Sequence, residues 1–250
     1  MDLVIASLAD RPDLAPLTWS FEGLWPTFMQ QDPVSDLFYA QAADRYAAYT
    51  LVAYDAADPT RPVARSCSVP FAMGEDVDRP RLPDDGWDGV IRWSWLDSLN
   101  GVEPTHVSAI EVAIRPDLRG TGLAAVMLDA KRANVRRLGF GELYAPVRPS
   151  RKSAEPDTPM ADYVKRVRDD GLPEDPWLRL HVRAGAEVIG VCPRAMTISG
   201  TLAEWRAWTG LPFERSGDVV VPGALNPVHC SVEHDHAVYV EPGVWVRHLL

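Results

Sequence analysis

The hexapeptide RGTGLA at residues 119–124 puts two glycines between an alternating apolar run, VSAIEVAI, and a stretch whose apolar residues recur at helical spacing. Glycine at a strand-to-helix junction costs backbone entropy and adds nothing to a core, so Gly120 and Gly122 signal that something must approach the backbone closely. The amides of Gly120, Thr121, Gly122, Leu123 and Ala124 would open a helix without intrahelical acceptors, and the helix dipole lends them partial positive charge. That combination is a cradle for a pyrophosphate, and Arg119 beside it adds a charge-assisted contact. A tight turn that holds nothing is one alternative. A dinucleotide fingerprint is another, because Gly120, Gly122 and Ala125 fit GxGxxA. Its acidic ribose partner should lie at the far end of the next strand, however, and Glu142 precedes LYAPV instead. No GxxxxGK[ST] occurs, so a nucleoside-triphosphate loop has no support.

Local charge favours an anionic ligand. Residues 115–152 hold nine basic and three acidic side chains, a net +6 in a chain of net −10, which leaves −16 for the remainder. Such asymmetry attracts a small polyanion while the acidic whole repels bulk nucleic acid and an anionic membrane surface.

With the strand before it, the tripeptide Arg115-Pro116-Asp117 and the apolar helix after it, RGTGLA matches R/Q-x-x-G-x-G/A. It resembles the acyl-CoA-binding signature of the GCN5-related N-acetyltransferase (GNAT) superfamily. The resemblance implies an α/β fold with a mixed, mostly antiparallel central sheet flanked by helices, carrying C-terminal additions here. It implies acetyl-CoA or another acyl-CoA as co-substrate, with Val112, Ala113 and Ile114 along the pantetheine arm and LYAPV on its other side. Members transfer the acyl group directly to an acceptor, usually a small-molecule amine, and a strand amide near residues 110–112 would polarise the acyl carbonyl. They often carry His or Glu on this strand, where Ser108 and Ile110 stand in the corresponding register here. Glu111 faces the opposite side of a regular strand, and a bulge would bring it round. Glu111 is therefore a candidate base and His106, which shares parity with Ser108, a weaker one; a satisfied polar residue and a strand-edge histidine are the plainer readings.

A narrower likeness lies in the C-terminal half. APVRPS, PM-x-x-Y, DGLP-x-DPWLRLHVR-x-GA, EWRAWTG, VPGAL and VYVEP resemble a larger GNAT subgroup found beside nitrilase-type domains and in polyketide loading modules. Loading-module members decarboxylate malonyl-type thioesters with a His and a Thr, sometimes passing the acyl group to a carrier protein. By that resemblance His181 is the counterpart of the His, and Ser150 replaces the Thr. Two activities follow as expectations: acyl transfer from CoA to an amine, or decarboxylation of malonyl- or methylmalonyl-CoA with a carrier protein as acceptor. A module that binds CoA without turnover is a third, and a helix histidine satisfied in the core is the plain alternative for His181.

The elements that must position these groups are readable from periodicity. The opening LVIAS reads as a strand, and residues 10–47 as two helices. YTLVAYD and PVARSCSVPFAM read as a hairpin, and residues 74–87 as an acidic, Pro-rich loop at the edge of a pocket. A short helix around residues 93–98 leads to HVSAIEVAI. The next helix spans 121–138, with Leu123, Val126, Met127 and Ala130 on its apolar face and Gly139 as its stop. After LYAPV, the stretch 149–159 reads as a linker or flap. MADYVKRVRDDG and DPWLRLHVRAG read as helices, the second capped by Asp175 with Pro176 in first position. AEVIGV, RAMTISG, a helix capped by Thr201, DVVVPG and HAVYVEPGVWV complete one three-layer α/β domain over residues 1–250.

Length and composition are those of an ordinary globular protein, 250 residues with 46% hydrophobic side chains, enough to bury a sizeable core. No apolar segment is long enough to span a bilayer, and the N-terminus has no basic leader or small-residue cleavage pattern. Cys67, Cys192 and Cys230 lie far apart without CxxC pairing, which suits a reducing, cytoplasmic setting. His229, Cys230, His234 and His236 crowd into VHCSVEHDHAV but match no zinc template, so hairpin-turn polarity is expected there and no metal. Trp205 and Trp208 read as a core-facing pair.

Overall fold

A computed structural model describes residues 1–250. Nine strands, β1 (Leu3–Ser7), β2 (Thr50–Asp55), β3 (Ala64–Phe71), β4 (His106–Ile114), β5 (Glu142–Val147), β6 (Glu187–Gly200), β7 (Gly217–Val219), β8 (Val228–Ser231) and β9 (His236–Leu249), join one sheet in the order β1-β2-β3-β4-β5-β9-β8-β7. β6 pairs along the opposite edge of β9, which takes β5 and β8 in succession on its first edge. Every pairing is antiparallel except β4 with β5, which are parallel and matched only at Val107↔Leu143 and Ser108↔Tyr144. Beyond Ser108 the two strands part. A sheet that opens in its middle exposes unpaired backbone to a cleft, which needs a ligand or water to satisfy it.

Seven α-helical segments flank the sheet: α1 (Ala15–Thr18), α2 (Ser35–Tyr39), α3 (Gly86–Asn100), α4 (Leu123–Arg137), α5 (Met160–Tyr163), α6 (Pro176–Arg183) and α7 (Leu202–Thr209). α2 and α3 cover one face through Phe38, Val90 and Ile91, packed on Cys67, Val69 and Phe71. α4, α5 and α6 cover the other through Val135, Met160 and Leu178, packed on Val107, Ala109 and Val246. A third cluster under α7 gathers Trp205, Phe28 and Tyr239, with Trp208 edge-on to Trp205 at 5.2 Å, so the tryptophan pair does face the core.

Several sequence expectations change. Between residues 10 and 49 the chain forms two short α-helical segments and three 3-10 turns rather than two helices. Pro12, Pro16, Gly23, Pro26 and Pro33 interrupt the first part, and from Val34 on packing rather than proline or glycine limits the helix. The helix expected at 93–98 begins at Gly86, and the one expected at 160–171 ends at Tyr163. AEVIGV and RAMTISG are one bulged strand, β6, carried across its irregularities by pairing with the long β9. On α4 the buried face is Leu123, Met127, Leu128, Lys131, Asn134 and Val135, while Val126 is exposed. A lysine has taken a core position that periodicity assigned to apolar residues only.

One buried acid pair lies among the start of α2, α3 and β6. Asp32 accepts the Val34 and Ser35 amides at the start of α2, at 2.7 and 3.2 Å, and Asp88 of α3 accepts the Thr197 amide of β6 at 3.1 Å. Burial, and then the charge of Asp32, push Asp88 up to about 9. The folded protein therefore holds a proton there that the unfolded chain releases near pH 4. The stability this contributes is full below pH 4 and declines as pH rises toward 9. Asp88→Asn, which is neutral at every pH, should flatten that decline. Urea unfolding across pH 4–9 checks this, and an equal pH slope in both proteins contradicts it.

Candidate active site

Gly120 and Gly122 take positive φ angles of +80° and +89°, and a side chain at either would meet open space, so backbone conformation rather than crowding selects glycine. The amides of Gly120, Thr121, Gly122, Leu123 and Ala124 make no backbone hydrogen bond, and no side chain caps the helix. Five consecutive N–H groups at a helix start suit a pyrophosphate. Arg119 is exposed beside them. The positive charge of the region is partly committed elsewhere: Arg115 pairs with Asp117, Arg148 with Glu241, and Lys131 and Lys152 are buried against backbone carbonyls.

From the parting of β4 and β5 a cavity of about 860 Å³ runs through the sheet. Ala109, Ile110, Glu111 and Val112 line it on one side, and Ala145, Pro146 and Val147 on the other. Ala113 is buried and Ile114 packs toward α4, so of the three residues expected along the pantetheine arm only Val112 borders the opening.

A bulge decides what faces this space. Cys67 pairs with Glu111 but Ser68 pairs with Ala109, so Ile110 is the extra residue. Extra residues reverse the alternation of side chains, and Glu111 lands on the same face as Ile110 instead of opposite it. There its carboxylate accepts the Nε and Nη2 hydrogens of Arg65 at 2.6 and 2.9 Å and the indole N–H of Trp25 at 3.1 Å. The Arg65 guanidinium also donates to the Thr18 carbonyl and lies over the Trp19 and Phe21 rings. The bulge itself is held by side chains. Trp87 donates to the Ile110 carbonyl at 2.9 Å, and Lys131 donates to the carbonyls of Cys67 and Glu111 at 2.8 and 2.9 Å. Burial brings the Lys131 ammonium down to about 8 and pushes the Cys67 thiol up.

On the other side of the sheet α6 brings His181 to the cavity. Asp175 caps this helix by accepting the Trp177 and Leu178 amides, and it also accepts the Arg151 amide and the Tyr163 hydroxyl. The Ser150 hydroxyl reaches the same carboxylate at 3.4 Å. His181 stands edge-on to Trp177 and its Nδ1 lies 2.9 Å from Nε2 of His248 on β9. Burial, then the neighbouring His248 and Lys131 charges, bring His181 down to about 3; burial, then Arg132 and Lys131, bring His248 to about 4. Both imidazoles are neutral at physiological pH.

Glu111, Ser150 and His181, far apart in sequence, thus border one cavity. His106 does not: it stacks on Phe71 and bonds Thr105 away from the cavity. Ser108 is buried with its hydroxyl on the Ala109 carbonyl. His229, His234 and His236 sit exposed around the β8–β9 hairpin, with Cys230 buried beneath. Sequence reasoning missed Arg65, Lys131, His248 and the Arg148–Glu241 pair, whose Arg148 Nε is 2.9 Å from the carboxylate. Lys131, spaced i+4 from Met127 and i−4 from Val135 within a buried stripe, was the one visible signal among them.

No family model matches the chain. Among curated proteins, the arginine N-acetyltransferase avaD of Aspergillus versicolor is 31% identical over 274 residues, covering 98% of this chain and 93% of that protein. Among solved structures, the loading GNATL domain of CurA from Lyngbya majuscula superposes with a TM-score of 0.56 at 16% identity, covering 100% of this chain and 98% of that one. The GphF GNAT-like decarboxylase, solved with isobutyryl-CoA, gives 0.50 at 16% identity, covering 100% and 99%. At these identities the solved structures speak for the fold alone.

Proposed function

The chain belongs to the GCN5-related N-acetyltransferase superfamily and is an acyl-CoA-dependent N-acyltransferase, and from that premise we propose that it acetylates a nitrogen of an arginine-like acceptor. The continuous sheet from Leu3 to Leu249 supports treating residues 1–250 as one transferase unit. The observation that carries the acceptor class is the character of the cavity beyond the bulge. Its walls are aromatic, with Trp19, Phe21, Trp25 and Tyr39, and its acids Glu22 and Asp36 have no internal ion-pair partner. Aromatic faces and free carboxylates favour a cation. Arg65, clasped by Glu111 and two rings, shows in miniature how a guanidinium is held here.

In this reading the five amides from Gly120 to Ala124, with Arg119, hold the pyrophosphate of acetyl-CoA, and the thioester lies where β4 and β5 part. The His181 side chain polarises the acyl oxygen as a neutral donor. Glu111 is committed to Arg65 and Trp25, so it orients the acceptor rather than taking its proton. Ser150 supports α6 through Asp175.

Incubating the protein with acetyl-CoA and arginine, and following free thiol and product mass, tests the proposal. Acceptor-dependent thiol release with one acetyl group gained by arginine is expected. CO2 from malonyl-CoA without any acceptor would instead assign decarboxylation, and thiol release only with a carrier protein would replace the small acceptor. His181→Ala should lower kcat about 100-fold with KM for acetyl-CoA little changed, the usual cost of one lost donor at a polarised carbonyl. An unchanged kcat removes His181 from the chemistry.

A further inference from the structure

Two buried imidazoles that share one hydrogen bond carry a choice of proton position, and the atoms around them make that choice. His248 is fully buried on β9, its Nε2 is 2.9 Å from His181 Nδ1, and its own Nδ1 is buried with no hydrogen-bond partner. His181 borders the cavity, and its Nε2 makes no hydrogen bond within the protein. With both rings neutral, two arrangements are open. If His181 Nδ1–H donates, His248 must carry its proton on Nδ1, an orphaned N–H sealed from water. If His248 Nε2–H donates, His248 Nδ1 is a bare lone pair. Buried orphan donors are rarer in proteins than under-used acceptors. Burial first, then Lys131 for both rings and Arg132 for His248, keeps the pair neutral, so neither arrangement adds a second proton.

We propose that His248 is a positioning residue: its Nε2–H donates to His181 Nδ1 and locks His181 in the tautomer whose Nε2–H points into the cavity. His181 is then a hydrogen-bond donor to the acyl oxygen at every physiological pH, and it has no lone pair there with which to act as a base. The kinetic consequence rests on the acyl-transfer reading of the cavity; the tautomer does not.

Long-range 1H–15N spectra of the ring nitrogens in 15N-histidine-labelled protein at pH 7 test the tautomer directly, with peaks assigned by loss in His181→Ala and His248→Gln. A protonated Nε2 and bare Nδ1 in both rings are expected; a proton on His181 Nδ1 overturns the proposal. His248→Leu should lower kcat about tenfold or more at constant KM for acetyl-CoA, the usual size of a lost supporting contact, and His248→Gln, whose amide N–H reaches the same acceptor, should restore most of it. A folded His248→Leu with wild-type kcat, or a Gln variant as impaired as the Leu variant, overturns the positioning role. Should the Leu variant not fold, the wild-type spectra still decide the tautomer. The expected tautomer together with a fully active His181→Ala would overturn the catalytic reading of the site and leave the tautomer standing.

Discussion

Gly122→Val should raise the KM for acetyl-CoA about 100-fold or more in a protein that still folds. Gly122 sits at φ +89°, where a β-branched residue is strained, and the N-terminus of α4 relieves that strain most easily by rotating its first turn. Rotation turns the Leu123 and Ala124 amides away from a shared anion. Hydrogen bonds to charged groups contribute about 1.5–3 kcal/mol each, so losing two costs about 3–6 kcal/mol, or two to four powers of ten in affinity. A side chain there meets open space in the protein itself, so the fold has no steric reason to fail. Steady-state kinetics and calorimetric CoA titration check the result. A KM within about twofold of the parent in a folded variant would remove the cradle from CoA binding.

Arg65→Met should destabilise the protein by about 3–5 kcal/mol, a large part of the about 5–15 kcal/mol that holds such a domain together. The side chains of Arg65 and Glu111 are 7% and 1% exposed, so removing the guanidinium leaves a carboxylate with only Trp25 and a weak Cys67 contact for company. The penalty comes from that stranded charge rather than from the worth of the pair. Arg65→Met with Glu111→Leu should therefore regain much of the loss, and urea unfolding of the two single variants and the double variant measures the difference. Equal destabilisation of single and double variants would mean that the guanidinium acts through packing on Trp19 and Phe21 instead. Lys131, which grips the Glu111 carbonyl, stays in place in either case, so the bulge and the acceptor wall are tested separately.

The candidate cradle is legible in the linear order because every group in it is local. RGTGLA carries its own strand end, its own helix start and the two residues that tolerate positive φ, and the physics of a helix terminus needs nothing from elsewhere in the chain. The caps of α6 and α7 were legible for the same reason: Asp175 and Thr201 bond amides two or three residues away. Family, sheet class and the use of an acyl-CoA followed from the resemblance that RGTGLA and its flanking strand and helix carry. Helix lengths before residue 50 did not, since packing against β2 and β3 rather than propensity sets how far a short turn extends.

What tertiary structure alone decided was which side chains meet. Glu111 was a residue of undetermined face until one unpaired position, Ile110, turned it toward Arg65, 46 residues distant, and Lys131 closed the turn from another helix. His181 gained its partner 67 residues later in the chain, on β9, beyond the VYVEP stretch. Periodicity reports the face of an element and caps report its ends, but a bulge, a buried ion pair and the proton between two imidazoles depend on contacts between elements. Desolvation fixes those only once the elements have closed on one another.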